Sequence, residues 1–120
     1  MSSRHQELED RLVRFAATII ELVNGLPNSK AGAHLGGQLI RSGTAPALNY
    51  GEARSAESRK DFVHKMQIAL KELRESHANL RIIEISKLHS SPATVASALD
   101  EVNQLIAIFV SSIKTARVNN

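Results

Sequence analysis

Glu72 and Glu75 are two acidic residues three positions apart in a segment with helical spacing, so their carboxylates share one face. Paired carboxylates can transfer protons or hold a metal ion. A di-iron helical bundle, however, uses a Glu-x-x-His step, and glutamate stands at the second position here. The histidines are also scattered, because His64 and His77 differ by about 220° around a helix and cannot share a ligand face. We therefore expect no metal ion and no cofactor.

The sequence carries no arrangement typical of a catalytic site. It has no cysteine, which excludes a thiol nucleophile, a disulfide framework and a cysteine-based zinc site. It has neither a glycine-rich loop after a strand nor a Ser-His-Asp order of residues. We therefore predict that the protein is not an enzyme.

Four basic residues follow close to whole helical turns in the middle of the chain and share one side of a predicted helix. They are Lys60, Lys71, Arg74 and Arg81. One interpretation is a strip that contacts phosphate groups and is repeated around an oligomer, although a net charge of +3 is weak support in a monomer. The other is a solvated face neutralised by acids, through pairs such as Asp61 with Lys65 and Lys71 with Glu75. For any one of these residues the solvated face is the favoured interpretation. Repetition of the strip in an oligomer favours phosphate contact.

Apolar residues recur every three or four positions near both ends of the chain, which predicts amphipathic helices. The two stripes are Leu8, Leu12, Phe15, Ile19, Leu22 and Leu26, and Val95, Leu99, Val102, Ile106, Phe109 and Ile113. Between them, the segment from Ser58 to about Leu88 lacks glycine and proline, and another helix begins near Ser29. These patterns predict an all-α, antiparallel up-down four-helix bundle. The expected single domain covers 1–120, with helices at about 4–25, 29–54, 57–88 and 92–117.

The second predicted helix contains residues that interrupt helices. Because proline removes one backbone donor, we predict a bend near Gly43 and Pro46. Asn49, Glu52 and Lys60 then lie near the turn into the third helix, where Glu52 pairs with a nearby base or caps that helix. The small residues around Gly36 indicate close helix approach, inside the bundle or across a subunit boundary, or else a flexible start of the helix.

The composition is that of a soluble globular protein, with 42% hydrophobic and 22% charged residues. The N-terminal segment lacks the apolar stretch of a signal peptide, and no apolar run approaches the ~18 to 20 residues of a membrane span. We expect a cytoplasmic protein without membrane contact.

Four segments together resemble a known bacterial family. They are LGGQLIRSGT at 35–44, NYGEA at 49–53, ESRKDFVHKM at 57–66 and IALKELRE at 68–75. Over essentially its whole length, the chain resembles the four-helix-bundle proteins encoded within intervening sequences of 23S ribosomal RNA genes. It is also similar to the accessory variability protein of diversity-generating retroelements, which binds a reverse transcriptase and nucleic acid.

This resemblance implies a homopentameric, barrel-like ring of bundles without known catalysis. Glu72 occupies the Lys-Glu step of the family, which implies a salt bridge between helices. We assign a structural polar network to Arg41, Asn49, Glu52, Glu72 and Glu75. Two functions stay open. One is a scaffold that binds structured RNA or other nucleic acid, mainly through phosphates, along a repeated basic surface. The other is a protein-interaction scaffold whose partner supplies the activity.

Overall fold

The computed structural model describes residues 3–118, and every regular element in that range is an α-helix. The helices are α1 (Arg4–Asn24), α2 (Lys30–Arg54), α3 (Arg59–Ser86) and α4 (Pro92–Val118). Short turns join them, so that neighbouring helices run antiparallel, and α1 and α4 share the least packing. The predicted all-α four-helix bundle is confirmed. Residues 1, 2, 119 and 120 of the expected domain lie outside the described part of the chain.

A serine side chain caps the N-terminus of each helix. Ser3, Ser29 and Ser58 each accept a hydrogen bond from a backbone N–H in the first turn of the following helix, at 3.0 to 3.1 Å. Ser91 accepts a hydrogen bond from the backbone N–H of Thr94 in the fourth helix in the same way, at 3.3 Å. Pro92 is the first residue of α4, a position at which its missing N–H would have no partner inside the helix. Local sequence therefore fixes where each helix starts.

The third helix is the spine of the bundle. Its 28 residues rise about 42 Å at the usual helical step, close to the 47 Å length of the molecule. The helix ends at Ser86, because Lys87 adopts the left-handed conformation with a φ of 56°. This end lies two residues before the predicted one at Leu88, where the apolar spacing stops.

α2 continues through Gly43 and Pro46, and its small residues let two other helices approach closely. A Cβ atom on Gly43 would lie only 2.8 Å from Cγ2 of Ile19 on α1. Toward α3, the fully buried hydroxyls of Ser42 and Ser76 are joined by a hydrogen bond of 2.9 Å. The glycine at position 43 therefore serves a contact inside the bundle. The bend expected near these residues stays a prediction.

Apolar side chains from all four helices form one buried cluster between them. Tyr50 belongs to this cluster, with only 2% of its surface exposed, and its ring meets the Phe109 ring edge-on at a centroid distance of 6.0 Å. Full burial of one large apolar side chain stabilises a fold by about 1.5–3 kcal/mol. The amphipathic stripes read from the sequence are thus the main source of stability.

α4 is long and apolar enough to cross a membrane, by length and composition alone, with a mean hydropathy of 1.3 over one 18-residue window. This average applies although the longest uninterrupted apolar run of α4, LIAIFV at 105–110, is much shorter than a membrane span. α4 has four charged residues, and small or hydroxyl-bearing residues such as Ala96, Ser97 and Ser111 take up part of its exposed side. In the bundle, Val102, Leu105 and Phe109 of α4 are fully buried. A helix with this composition is also typical of a bundle core.

Candidate nucleic-acid interface

Arg41 of α2 binds both Glu72 and Glu75 of α3. Its Nη1 donates to the two carboxylate oxygens of Glu72 at 3.0 and 3.2 Å, and its Nη2 donates to Glu75 at 2.9 Å. Burial raises the pKa of Glu72, whereas the hydrogen bond from Arg41 lowers the pKa of Glu75. The two carboxylates therefore link α2 to α3 through one guanidinium. Within residues 3–118, no group of three His, Asp or Glu side chains could hold a metal ion.

Two acids close in sequence to the basic strip, Glu72 and Glu75, bind Arg41 of α2. Glu75 binds α2 rather than Lys71, and Lys65 binds Glu52 of α2 at 3.1 Å rather than Asp61. The two pairs expected to neutralise the strip are thus absent from the ion pairs of residues 3–118. The tertiary structure thus holds Glu72 and Glu75 against α2, whereas Glu84 stays on the exposed side of α3.

The four residues of the predicted strip are all exposed, but they do not lie in one cluster on the surface. Arg81 forms an ion pair with Glu84 at 3.8 Å, and the other three form none with the described residues. Lys60 and Arg81 are separated by about 31 Å along the helix. Lys60 and Arg74 line the same groove, and Lys71 lines a hollow next to Arg74. Arg81 lies beyond that region.

A groove runs between α3 and α4 at the end of the bundle where α3 begins and α4 ends. We call it the α3–α4 groove. It consists of two hollows of about 420 and 530 Å³ that share Gln67 and Arg117. Five cationic residues line it: Arg59, Lys60, Arg74, Lys114 and Arg117. No acidic residue of the range 3–118 lines either hollow, although Glu75 lines an adjoining hollow that shares Arg74. The excess of cations in the groove favours anions.

Both helices position these cations. Arg59, in the first turn of α3, donates from Nη1 to the carbonyl of Ala116 near the end of α4, at 3.3 Å. Arg117 lies in the last turn of α4, where a cation also interacts favourably with the negative end of the helix. Arg59, Lys114 and Arg117 were missed from the sequence. The three-residue spacing of Lys114 and Arg117 shows that they share a face, but it does not show which helix lies beside them.

The predicted polar network divides into separate parts. Glu52, with 58% of its side chain exposed, pairs with Lys65 of α3 and lies apart from Arg41. Asn49 is half-buried and forms no side-chain hydrogen bond within residues 3–118. Lys60, expected near Glu52 at the turn, lines the α3–α4 groove instead. Only the contacts around Arg41 join several of the assigned residues.

The fold places the chain among small all-α proteins built as a single four-helix bundle. Within this class, the chain belongs to the 23S rRNA-intervening sequence protein family, whose model matches residues 5–111. The resemblance found in the sequence segments is thereby confirmed over most of the chain.

One solved structure is similar to this chain in both fold and sequence. It is the crystal structure of a protein of unknown function from the S23 ribosomal protein family of Bacteroides thetaiotaomicron. The TM-score is 0.82 at 30% identity, and the similarity covers 89% of this chain and 98% of that chain. Among curated proteins, no significant match is found. Neither the family nor the similar structure belongs to an enzyme family.

Proposed function

We propose that this protein is a non-catalytic, oligomeric scaffold that binds the phosphate backbone of structured RNA, or of other nucleic acid, along the α3–α4 groove. The observation that carries the proposal is the set of five cations lining a groove without an acidic residue from the range 3–118. The family and the similar structure are both described in terms of ribosomal RNA or ribosomal protein, which favours RNA.

The cations of the groove suit phosphate groups, and apolar residues such as Leu70 and Val110 line it beside them. Lys and Arg release condensed counterions when they neutralise phosphates, so affinity falls steeply with salt and depends little on sequence. Arg59 is already held against the end of α4, so less of its side-chain freedom is lost on binding. Lys60, Lys114 and Arg117 are exposed and carry no ion pair within residues 3–118.

Assembly into a ring would repeat the groove and multiply these contacts. Val13 and Ile20 of α1 and Ile40 and Leu48 of α2 are exposed to between 39% and 71%. They lie at matching heights on the two antiparallel helices, because Ile19 of α1 lies against Gly43 of α2. Glu9 near the start of α1 also pairs with Arg54 at the end of α2. We call these four residues the α1–α2 face.

Two glycines inside α2 also lie open. A Cβ at Gly37 or Gly51 would meet nothing within 4 Å, and a glycine inside a helix costs about 1 kcal/mol relative to alanine. Contacts within the subunit do not explain these two glycines. The α1–α2 face therefore suits packing against another subunit. This agrees with the homopentamer that the family resemblance implies. We place the assembly in the cytoplasm, away from membranes.

A protein-interaction scaffold is the second candidate. Ile82 and Ile85 are exposed to 51% and 68% on the outer side of α3, past Arg81. Apolar side chains of this size at the surface are typical of a partner contact when they lie together. A partner docked there would leave the α3–α4 groove free.

The decisive experiment compares two double variants that lose the same charge. Lys114→Gln with Arg117→Gln removes two groove cations, and Arg14→Gln with Lys30→Gln removes two exposed cations from α1 and α2. Affinity for a ribosomal RNA hairpin and an unrelated duplex is measured by fluorescence anisotropy over a range of salt. In the groove variant, the slope of log K against log salt should be shallower by about 1.8 per site. In the matched control, the slope should equal that of the wild-type protein.

Equal losses in both variants would show that net charge, and not the groove, binds nucleic acid. An unaltered slope in the groove variant, or no binding at low salt, would contradict the proposed function and favour the protein-interaction scaffold. Native mass measured by light scattering in the same buffers tests assembly, since a monomeric protein at all concentrations would contradict the ring.

A further inference from the structure

A pocket of about 510 Å³ opens between α1 and α4, where these two helices pack least. We call it the α1–α4 pocket. The residues that the following argument uses are His5, Leu8, Tyr50, Phe62, Ile108 and Ser112. Its volume lies within the range of about 300–1,000 Å³ that is usual for small-molecule sites.

One wall of the pocket offers fixed polar groups. The hydroxyl of Tyr50 lies 3.0 Å from Nδ1 of His5, and the Tyr50 ring is held by its edge-on contact with Phe109. Burial raises the pKa of Tyr50, so the hydroxyl keeps its proton and can donate to Nδ1. In that tautomer Nε2 of His5 carries a proton and is free to donate to a ligand. Ser112, half-buried on α4, adds a second hydroxyl.

The other lining residues are apolar or charged, and the charged ones are Arg4, Glu7 and Arg11. Leu8, Phe62 and Ile108 are half-buried and line the pocket, so part of their hydrocarbon surface is open to a ligand. Arg11 also lines the pocket, but its guanidinium is held by Glu101 at 2.6 Å. The combination of apolar walls with a few fixed donors suits a planar heterocycle with polar edges.

The pocket is continuous with the α3–α4 groove around the end of the bundle. It shares His5 and Phe62 with a hollow of about 840 Å³. That hollow is lined by Arg54 and Arg59, and it shares Arg59 and Ala116 with the α3–α4 groove. A path lined by Arg59, and by Arg54 in an ion pair with Glu9 at 3.1 Å, therefore leads from the groove to the mouth of the pocket. A ligand with a polyanionic backbone and an aromatic heterocycle would match the chemistry of both.

Building on the proposed function, we infer that the α1–α4 pocket binds one unpaired nucleobase of a nucleic acid whose backbone lies in the α3–α4 groove. The base lies among Leu8, Phe62 and Ile108, and its edge meets His5 and Ser112. The phosphates next to it lie near Arg54 and Arg59. A duplex end with unpaired nucleotides is then a better ligand than a fully paired end, because only an unstacked base can enter the pocket.

The test uses one RNA hairpin in two forms, with a blunt end and with a short single-stranded overhang that contains 2-aminopurine. The wild-type protein should bind the overhang form roughly tenfold more tightly, the scale of one base contact, and the 2-aminopurine emission should change on binding. Ser112→Trp fills the pocket and should abolish this preference while leaving affinity for the blunt hairpin unchanged. Ser111→Trp, an exposed neighbour that does not line the pocket, should keep the preference.

Equal affinity of the wild-type protein for the two hairpins would overturn this inference and leave the proposed function standing. Absence of binding to both hairpins would instead refute the proposed function. Adenosine monophosphate is titrated alone as a further arm. If it binds in the wild type and not in Ser112→Trp, without any preference for the overhang, the pocket serves a free nucleotide and the inference is wrong. The wild-type comparison of two hairpins holds even if a tryptophan variant fails to fold.

Discussion

Replacement of Gly43 and of Gly37 by alanine, one at a time, tests how α1 and α2 pack. Both glycines lie inside α2, so alanine gains about 1 kcal/mol of helix propensity at either position. Their surroundings differ. A Cβ at position 43 would meet the Ile19 side chain at 2.8 Å, whereas a Cβ at position 37 would meet nothing within 4 Å. The same substitution is therefore expected to have opposite effects.

The magnitude follows from these two contributions. Overpacking a buried contact costs about 1–3 kcal/mol, because backbone or side chains must shift. Gly37→Ala should raise the free energy of unfolding by about 1 kcal/mol, and Gly43→Ala should lower it by up to about 2 kcal/mol. Because both substitutions gain the same helix propensity, the difference between their free energies of unfolding gives the steric cost alone. For a chain of this length, about 1 kcal/mol shifts Tm by roughly 4 °C, so Gly43→Ala should melt about 4–12 °C below Gly37→Ala.

Thermal unfolding followed by circular dichroism at low protein concentration measures both variants, since assembly then contributes least to Tm. Ile19→Ala provides the control, because it removes the side-chain atoms nearest to the added methyl group. In that background, Gly43→Ala should cost less than in the wild-type protein. Equal melting temperatures for Gly37→Ala and Gly43→Ala would refute the close approach of Gly43 to Ile19.

Two further predictions concern polar contacts between helices. The pKa of Glu75 is lowered in the folded state by Arg41, so its stabilisation is present above the ordinary glutamate pKa and is lost as pH falls through the folded value. Glu75→Gln should therefore lower Tm at pH 7 and lose less stability than the wild type on acidification below about pH 4.5; parallel pH profiles would contradict this. His89 donates from Nε2 to the Leu22 carbonyl at 3.1 Å and accepts the Ser91 N–H at Nδ1 at 2.9 Å. His89→Ala should cost about 1–2 kcal/mol in urea unfolding, and a change within error would show that water replaces both bonds.

Much of the candidate site could not be predicted from spacing. The sequence indicated a basic side of α3, and Lys60 and Arg74 do line the α3–α4 groove. It did not indicate Lys114 and Arg117, because helical periodicity shows which residues share a face and not which helix lies beside that face. The groove exists only because α3 and α4 run antiparallel with these ends together.

By itself, the sequence determined the helices of this protein. Apolar residues at three- and four-residue steps and serine caps such as Ser58 depend only on neighbours along the chain, so the bundle could be predicted. Only the tertiary structure decided the ion pairs. A local pair of Lys71 with Glu75 is worth a few tenths of a kcal/mol, and Glu75 instead binds the guanidinium of Arg41 across two helices. Folding thereby draws Glu72 and Glu75 toward α2 and leaves Lys71 and Arg74 without an ion pair within residues 3–118, a distribution of charge that no spacing in the sequence contains.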